Sequence, residues 1–218
     1  MFTNRIEAGK LLAKKLKIYK NRQDVVIVTI PRGGIPVGNV LSRKLNAPLE
    51  IILSKKIGHP FNKEYAIGAV TLNSRVLNDT AAKVSDTYIE SETERIKALL
   101  KQRYKWYYGN NSPISLKNKV VILVDDGIAT GNTLLSSARL IQQQDPSEII
   151  VAIPVAAASS LKKIKKLAFV TKIICLLIPK YFMAVGQFYE EFNQVTDEEV
   201  IQLLKEANNN FKYYALRK

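Results

Sequence analysis

The chain alternates short, uninterrupted apolar runs with segments whose apolar residues recur every three or four positions. An apolar run without polar alternation is typical of a strand buried on both faces of a parallel sheet. Helical spacing between such runs predicts crossover helices, which join parallel strands in a right-handed sense. The pattern therefore predicts an α/β fold with helices on both faces of a parallel sheet. The predicted core strands are 24–30, 49–53, 120–124, 148–154 and 172–178, and the predicted helices are 5–19, 37–45, 79–107, 159–168 and one that begins near Thr133.

Between the second and third core strands the pattern becomes less regular. Residues 66–70 and 75–77 predict a small antiparallel hairpin with Asn73-Ser74 at its turn. Residues 58–65 mix glycine, proline and charged residues, and they predict an irregular loop. Residues 109–113 predict a plain connector before the third core strand.

Polar residues at the ends of the helical segments predict where some helices begin. Ser91 and Glu94 have the spacing of a capping box, and Thr196 precedes three acidic residues as the N-cap of a final helix. In the first helix, the spacing predicts four inward residues: Ile6, Leu12, Ala13 and Leu16.

The strand at 120–124 leads into the stretch with the clearest chemistry. Asp125 and Asp126 follow this strand directly, and a turn of small residues runs from Gly127 to Thr133 before the next helix. Such a turn directs successive backbone N–H groups at one point, and the helix dipole adds positive potential there, which suits a phosphate. The neighbouring carboxylates can accept hydrogen bonds from hydroxyls or hold Mg²⁺ through water. A site that binds a phosphate next to hydroxyl groups predicts a sugar phosphate as the ligand.

A second glycine loop follows the first core strand. The sequence from Pro31 to Gly38 contains Arg32, Gly33 and Gly34, and it again joins a strand to a helix, which predicts an anion site at a strand's carboxyl end. A tight turn within an ordinary strand–helix unit is the alternative.

The stretch from Val120 to Leu134 closely resembles the phosphoribosyl-diphosphate (PRPP) motif of the type I phosphoribosyltransferases. That motif consists of four hydrophobic residues, two acids, a short spacer, Thr-Gly-x-Thr and a hydrophobic residue, and every position is filled here. Nearly all of the chain is similar to a small bacterial group of predicted phosphoribosyltransferases with Ile-Gly-His-Pro and Val-Gly-Gln signatures, found here at 57–60 and 185–187.

This resemblance implies the architecture of the chain. It implies one phosphoribosyltransferase domain over 1–218, with a Rossmann-like parallel-sheet core and a small hood from about 56–78 and 180–195. It implies a mobile flap within about 56–95 that closes over the reacting ring. It also implies that a homodimer is one assembly to expect.

The resemblance also implies roles for the residues that would bind PRPP. The 5-phosphate would lie on Ala129, Thr130, Gly131, Asn132 and Thr133. Asp125, Asp126 and Arg32 would be the catalytic residues, with the two carboxylates on the ribose hydroxyls. The pyrophosphate would bind Arg32, Gly33 and either Lys55 or Lys56, although a solvated lysine is an equal alternative. A cis peptide would lie at Arg32–Gly33.

The same resemblance implies contacts for the acceptor base and the metal. Phe182 would stack on the base, with packing inside the hood as the alternative. Glu190 would bind Mg²⁺, the implied cofactor, together with Asp125 and Asp126. The implied reaction is transfer of the 5-phosphoribosyl group from PRPP to a nitrogenous base with release of pyrophosphate.

Ala129 restricts the expected acceptor. The family's 6-oxopurine enzymes usually carry an aspartate at this position, whereas the methyl group of alanine can neither give nor take a proton. We therefore expect hypoxanthine and guanine to be poor acceptors. If the acceptor needs proton transfer, the candidates in the flap and hood are His59, Glu64 and Glu190.

Composition changes this picture little. The net charge of +14 permits nucleic-acid binding, but the basic residues are spread along the chain without interleaved aromatics, so solvated helix faces are the favoured interpretation. Nucleic acid is therefore not an expected partner. Two alternatives stay open: a PRPP-sensing regulator that binds nucleic acid without catalysis, and a PRPP-binding subunit that needs a partner chain.

The cysteine content and the apolar runs bear on location. Cys175 is the single cysteine and is predicted to be a buried small hydrophobe, so a disulfide framework is excluded and a reducing cytoplasm is expected. The N-terminal pattern is not that of a signal peptide, and the apolar runs are too short to span a membrane.

Overall fold

The structure is a computed structural model that describes residues 1–109 and 112–215. Its helices are α1 (Arg5–Lys15), α2 (Gly34–Leu45), α3 (Asp86–Tyr108), α4 (Asn132–Gln142), α5 (Ala158–Lys165) and α6 (Asp197–Ala215). Its strands are β1 (Val25–Thr29), β2 (Leu49–Ile51), β3 (Lys55–His59), β4 (Asn62–Val70), β5 (Arg75–Leu77), β6 (Val120–Val124), β7 (Glu148–Val155) and β8 (Val170–Leu177).

Five of the strands form a parallel sheet in the order β2-β1-β6-β7-β8, which confirms the predicted α/β fold. Every residue of β1 and β6 is buried, as their unbroken apolar sequences predict. Alternate side chains feed two cores: one lies against α1, α2, α3 and α6, and the other against α4 and α5. Because Thr29 pairs with Val124, β1 and β6 end side by side, and their loops emerge next to each other.

The strands β3, β4 and β5 form a separate antiparallel sheet. The predicted hairpin of 66–70 and 75–77 is confirmed, and its turn is closed by a hydrogen bond from the Thr71 amide to the Ser74 carbonyl. The predicted loop at 58–65 is wrong, because most of it belongs to β3 and β4. Residues 61–66 are exposed on both faces of the hairpin, so no alternation of apolar and polar residues marks the strand.

Several predicted details of the helices are also wrong. Ile6 is exposed, because it lies at the edge of the buried face of α1, which packs on α2 where Gly9 lies against Val40. The 79–107 segment begins as a short 3-10 turn, and α3 starts only at Asp86. Ser91 therefore lies inside the helix and donates to the Tyr88 carbonyl instead of capping.

Other predictions at the edges of the fold have mixed outcomes. The Thr196 cap is confirmed by a bond from the Glu199 amide to its hydroxyl. Cys175 is half-buried on the edge strand β8 rather than fully buried. The predicted connector 109–113 lies partly outside the described residues. None of the described helices is long and apolar enough to cross a membrane.

Candidate functional site

The two acids lie at the carboxyl end of β6, directly against the glycine loop that follows β1. Asp126 is buried and Asp125 is half-buried, and the Asp126 amide donates to Asp125 Oδ1 at 2.9 Å. A Cβ on Gly33 would overlap the Asp126 carboxylate, and one on Gly34 would lie 3.0 Å from the Val124 carbonyl oxygen. The two loops therefore approach this closely only because the β1 loop carries glycines.

Burial governs the electrostatics of the pair. Loss of hydration raises the pKa of both carboxyl groups, and the charge of Asp126 raises the pKa of Asp125 further. The Arg5 guanidinium opposes this shift and lowers the pKa of Asp126. Its Nε donates to Asp126 Oδ2 at 2.8 Å, and both side chains are nearly buried, at 11% and 12% exposure.

Arg5 also connects the acid pair to the segment that follows the last strand. Its guanidinium carbon lies 3.8 Å from the centre of the Phe192 ring, and one terminal nitrogen donates to the Asn193 carbonyl at 2.8 Å. The Tyr189 hydroxyl donates to the backbone carbonyl of Asp126 at 2.6 Å. Arg5 was not among the predicted site residues, because nothing in a helical pattern signals a partner 121 positions away.

The predicted 5-phosphate loop runs from the acid pair into α4. Ile128 is fixed by hydrogen bonds with the β7 end: its amide donates to the Val155 carbonyl, and its carbonyl accepts from the Ala157 amide. Gly131 has a φ of +80° and is the N-cap of α4, a backbone conformation that favours glycine. The other four predicted residues, Ala129, Thr130, Asn132 and Thr133, are all exposed, so the structure brings the predicted phosphate loop together at the surface beside the acids.

The glycine loop after β1 contains a cis peptide at Pro31–Arg32, so the predicted position at Arg32–Gly33 is wrong by one residue. The Arg32 carbonyl accepts from the Ile35 amide, so the Arg32–Gly33 peptide already belongs to the turn that opens α2. The Arg32 guanidinium lies 3.6 Å from Asp197 at the start of α6. Arg32 therefore stands in the predicted loop with its charge partly compensated.

The structure places the two candidate lysines on β3. Both are exposed, and Lys56 pairs with Glu64 at 2.8 Å. The contacts of the described residues do not join either lysine to the acid pair. If Lys55 or Lys56 binds pyrophosphate as predicted, its side chain must therefore make that contact when the ligand binds.

The predicted hood residues differ in their surroundings. The Phe182 ring is half-buried and lies 5.1 Å, centre to centre, from Phe188, which favours the packing alternative over base stacking. Glu190 is exposed, and its amide donates to the Phe2 carbonyl. Its neighbour Tyr189, not Glu190, makes the contact with Asp126.

The donor set constrains how a metal could bind. Among the residues that the structure describes, no three acidic, histidine or cysteine side chains lie close enough to hold a metal ion. Asp125 and Asp126 nevertheless supply the oxygen donors that Mg²⁺ prefers, and Mg²⁺ commonly binds through one or two carboxylates, waters and substrate phosphates. The pair fits a metal that arrives with its substrate.

The comparisons with known proteins identify the family. A sequence profile of the phosphoribosyl transferase domain family matches residues 3–189, and the chain belongs to this family. It is 31% identical over 215 residues to two Mycobacterium tuberculosis proteins named "Putative phosphoribosyl transferase MT0597" (strain CDC 1551 / Oshkosh) and "Putative phosphoribosyl transferase Rv0571c" (strain ATCC 25618 / H37Rv). These matches cover 97% of this chain but 48% of each relative, so the chain spans about half of their length.

A solved structure shares the fold. The crystal structure of TT1426 from Thermus thermophilus superposes with a TM-score of 0.83 at 35% identity. The match covers 94% of this chain and 98% of TT1426, so the two proteins have the same architecture over nearly their whole lengths.

Proposed function

We propose that this protein catalyses Mg²⁺-dependent transfer of the 5-phosphoribosyl group from PRPP to a nitrogenous base, with release of pyrophosphate. The carrying observation is the meeting of two loops at the carboxyl ends of β1 and β6. The loop before α4 carries the exposed residues Ala129 and Thr130, and the other loop brings Gly33 against the buried Asp126. Family membership supports the same reaction class.

In this proposal the protein acts mainly by positioning and by charge. The loop 129–133 holds the 5-phosphate, and Asp125 and Asp126 accept hydrogen bonds from the ribose hydroxyls. As pyrophosphate departs, the ribose ring gains positive character, which nearby carboxylates stabilise. Arg32 neutralises part of the departing charge. Bound Mg²⁺ would supply further neutralisation of the pyrophosphate, and Asp125 and Asp126 are the residues that would hold it, with Glu190 a remaining candidate.

The acceptor side of the proposal rests on Ala129, which is exposed beside the acids. Because alanine offers no proton donor or acceptor, we infer that adenine, uracil or orotate is a better acceptor than hypoxanthine or guanine. The single cysteine supports a reducing compartment, so we place the reaction in the cytoplasm. A homodimer stays a prediction.

The test measures pyrophosphate release with PRPP, Mg²⁺ and each of the five bases. We expect turnover with at least one base, and none when Asp125→Asn and Asp126→Asn are combined. Asp145→Asn is the matched control, because Asp145 is exposed and has a positive φ that asparagine tolerates. PRPP binding without turnover on any base, together with PRPP-dependent retardation of a nucleic acid, would favour the regulator over the enzyme.

A further inference from the structure

Two residues of α5 hold successive carbonyls of the 5-phosphate loop. The Ser160 hydroxyl, which is fully buried, donates to the Ala129 carbonyl at 2.5 Å. One helical turn later, the Lys163 ammonium donates to the Thr130 carbonyl at 3.3 Å. A Cβ on Gly131 would lie 3.2 Å from Ser160 Cβ, so the loop packs directly on this helix.

These contacts fix the directions of two N–H groups. In a trans peptide the C=O and N–H point in opposite directions, and the cis bond among the described residues lies elsewhere, at Pro31–Arg32. The Ala129 carbonyl shares its peptide with the Thr130 amide, and the Thr130 carbonyl shares its peptide with the Gly131 amide. With both carbonyls held on α5, both N–H groups point away from α5. Within the described part of the chain, neither amide donates to another group.

We propose that Ser160 and Lys163 are positioning residues that aim the Thr130 and Gly131 amides at the 5-phosphate of the substrate. Ser160 orients the first peptide, and Lys163 orients and polarises the second, since a cation on a carbonyl strengthens the N–H of the same peptide as a donor. The inference rests on the proposed function, and it assigns Lys163 a role distinct from its neighbours Lys162, Lys165 and Lys166.

The effect of Lys163 on ligand binding should also differ from that of the other lysines near α5. All four lysines of α5 and its end are exposed, but Lys163 alone among these four donates a hydrogen bond to the loop. Loss of a lysine that is only solvated on the helix surface should weaken the binding of every anion slightly and to the same extent. Loss of Lys163 should selectively weaken the binding of ribose 5-phosphate and PRPP, because both carry the 5-phosphate, and leave the affinity for pyrophosphate unchanged.

The experiment measures dissociation constants for PRPP, ribose 5-phosphate and pyrophosphate by titration calorimetry. We expect Lys163→Met to raise the dissociation constants of PRPP and ribose 5-phosphate about fivefold, which is the size expected for the loss of one solvent-exposed charge contact. Lys162→Met removes the same charge from the same helix and should change all three by less than about twofold. Ser160→Ala should behave like Lys163→Met, with Ser159→Ala as its exposed control.

A second readout separates orientation from folding. In ¹H–¹⁵N spectra, ribose 5-phosphate should shift the Thr130 and Gly131 amide protons downfield, and Lys163→Met should reduce the Gly131 shift without changing the melting temperature. Equal effects of Lys163→Met and Lys162→Met, or no effect of either, would overturn this inference while leaving the proposed function standing. If the unaltered protein binds neither PRPP nor ribose 5-phosphate, the proposed function fails as well.

Discussion

Asp126 contacts three distant parts of the chain, at Arg5, Gly33 and Tyr189, and its ion pair with Arg5 is nearly buried. Arg5→Met should lower the free energy of unfolding by about 3 kcal/mol, because it leaves a buried carboxylate without its partner. Combining it with Asp126→Asn should cost less than the sum of the two single changes. Chemical denaturation of the four proteins measures this coupling.

A second arginine provides the control for that prediction. Arg22 also pairs with an aspartate, Asp24, at 2.6 Å, but the two side chains are 41% and 45% exposed. Arg22→Met should therefore cost less than about 1 kcal/mol. Equal decreases in the free energy of unfolding for Arg5→Met and Arg22→Met would show that burial does not make the Arg5 pair more stabilising.

Glu50 predicts a pH dependence of stability. This β2 side chain is buried, its two oxygens accept from the Ile51 and Ile114 amides, and burial raises its pKa to about 7 from 4.5. Since the folded state holds the proton more tightly, the stabilising contribution is complete below pH 4.5 and is lost as the pH rises to about 7.

The loss should be on the order of 3 kcal/mol over that window. Glu50→Gln should remove this slope, although it also disturbs one of the two amide contacts. Unfolding midpoints across the window test the prediction, with the exposed change Glu90→Gln as the comparison. An unchanged slope in Glu50→Gln would assign the dependence to another group.

The first turn of α6 joins the site to the rest of the fold through Asp197. Its carboxylate receives hydrogen bonds from Arg103 and Tyr107 of α3, and it also pairs with Arg32 of the β1 loop. The hydrogen bond from Tyr107 leads the effects that lower the pKa of Asp197, so this contribution is lost only as the pH falls through its depressed pKa.

Asp197→Asn should destabilise the protein by about 1–2 kcal/mol at neutral pH, because an amide replaces an acceptor of charge-assisted bonds. The expected loss exceeds that of Glu198→Gln, an exposed change in the same turn. Thermal and denaturant unfolding of both variants compare them. Equal stability of the two variants would mean that these bonds contribute nothing measurable.

The elements that could be predicted are those whose burial is uniform. The strands β1 and β6 are apolar at nearly every position, so their sequence and their burial carry the same information. The hairpin of β3 and β4 escaped prediction because its projecting residues are exposed on both faces, where no pattern of burial acts on the sequence. Helix starts were missed where, as at Asp86, a short 3-10 turn precedes the helix.

For the molecule as a whole, ligand binding is the most direct test. PRPP with Mg²⁺ should raise the melting temperature, because a ligand that binds only the folded state stabilises it. A ligand at about 100 times its dissociation constant contributes about 2.7 kcal/mol, which corresponds to roughly 5–10 °C for a chain of this length. The combined Asp125→Asn and Asp126→Asn variant should show a smaller shift. A flat titration to millimolar PRPP would reject the assigned site.

The candidate site was predictable only where it is continuous in sequence. The acid pair and the 129–133 loop lie within one stretch of nine residues, 125–133, so a single sequence motif predicts both. The site also receives side chains from distant segments, namely Arg5, Ser160 and Tyr189. Their roles depend on tertiary contacts, which cannot be predicted from local sequence spacing.

The connection between the beginning of the chain and the 188–191 segment bears on the order of folding. The Phe2 amide donates to the Phe188 carbonyl, and the Glu190 and Glu191 amides donate back to Phe2 and Thr3. Contacts between residues so far apart in sequence are expected to form late in folding, because each one closes a long loop and costs chain entropy. During synthesis, Arg5 emerges before its contact partners Phe192 and Asn193. Refolding protein should therefore regain its sheet before it regains the capacity to bind ligand.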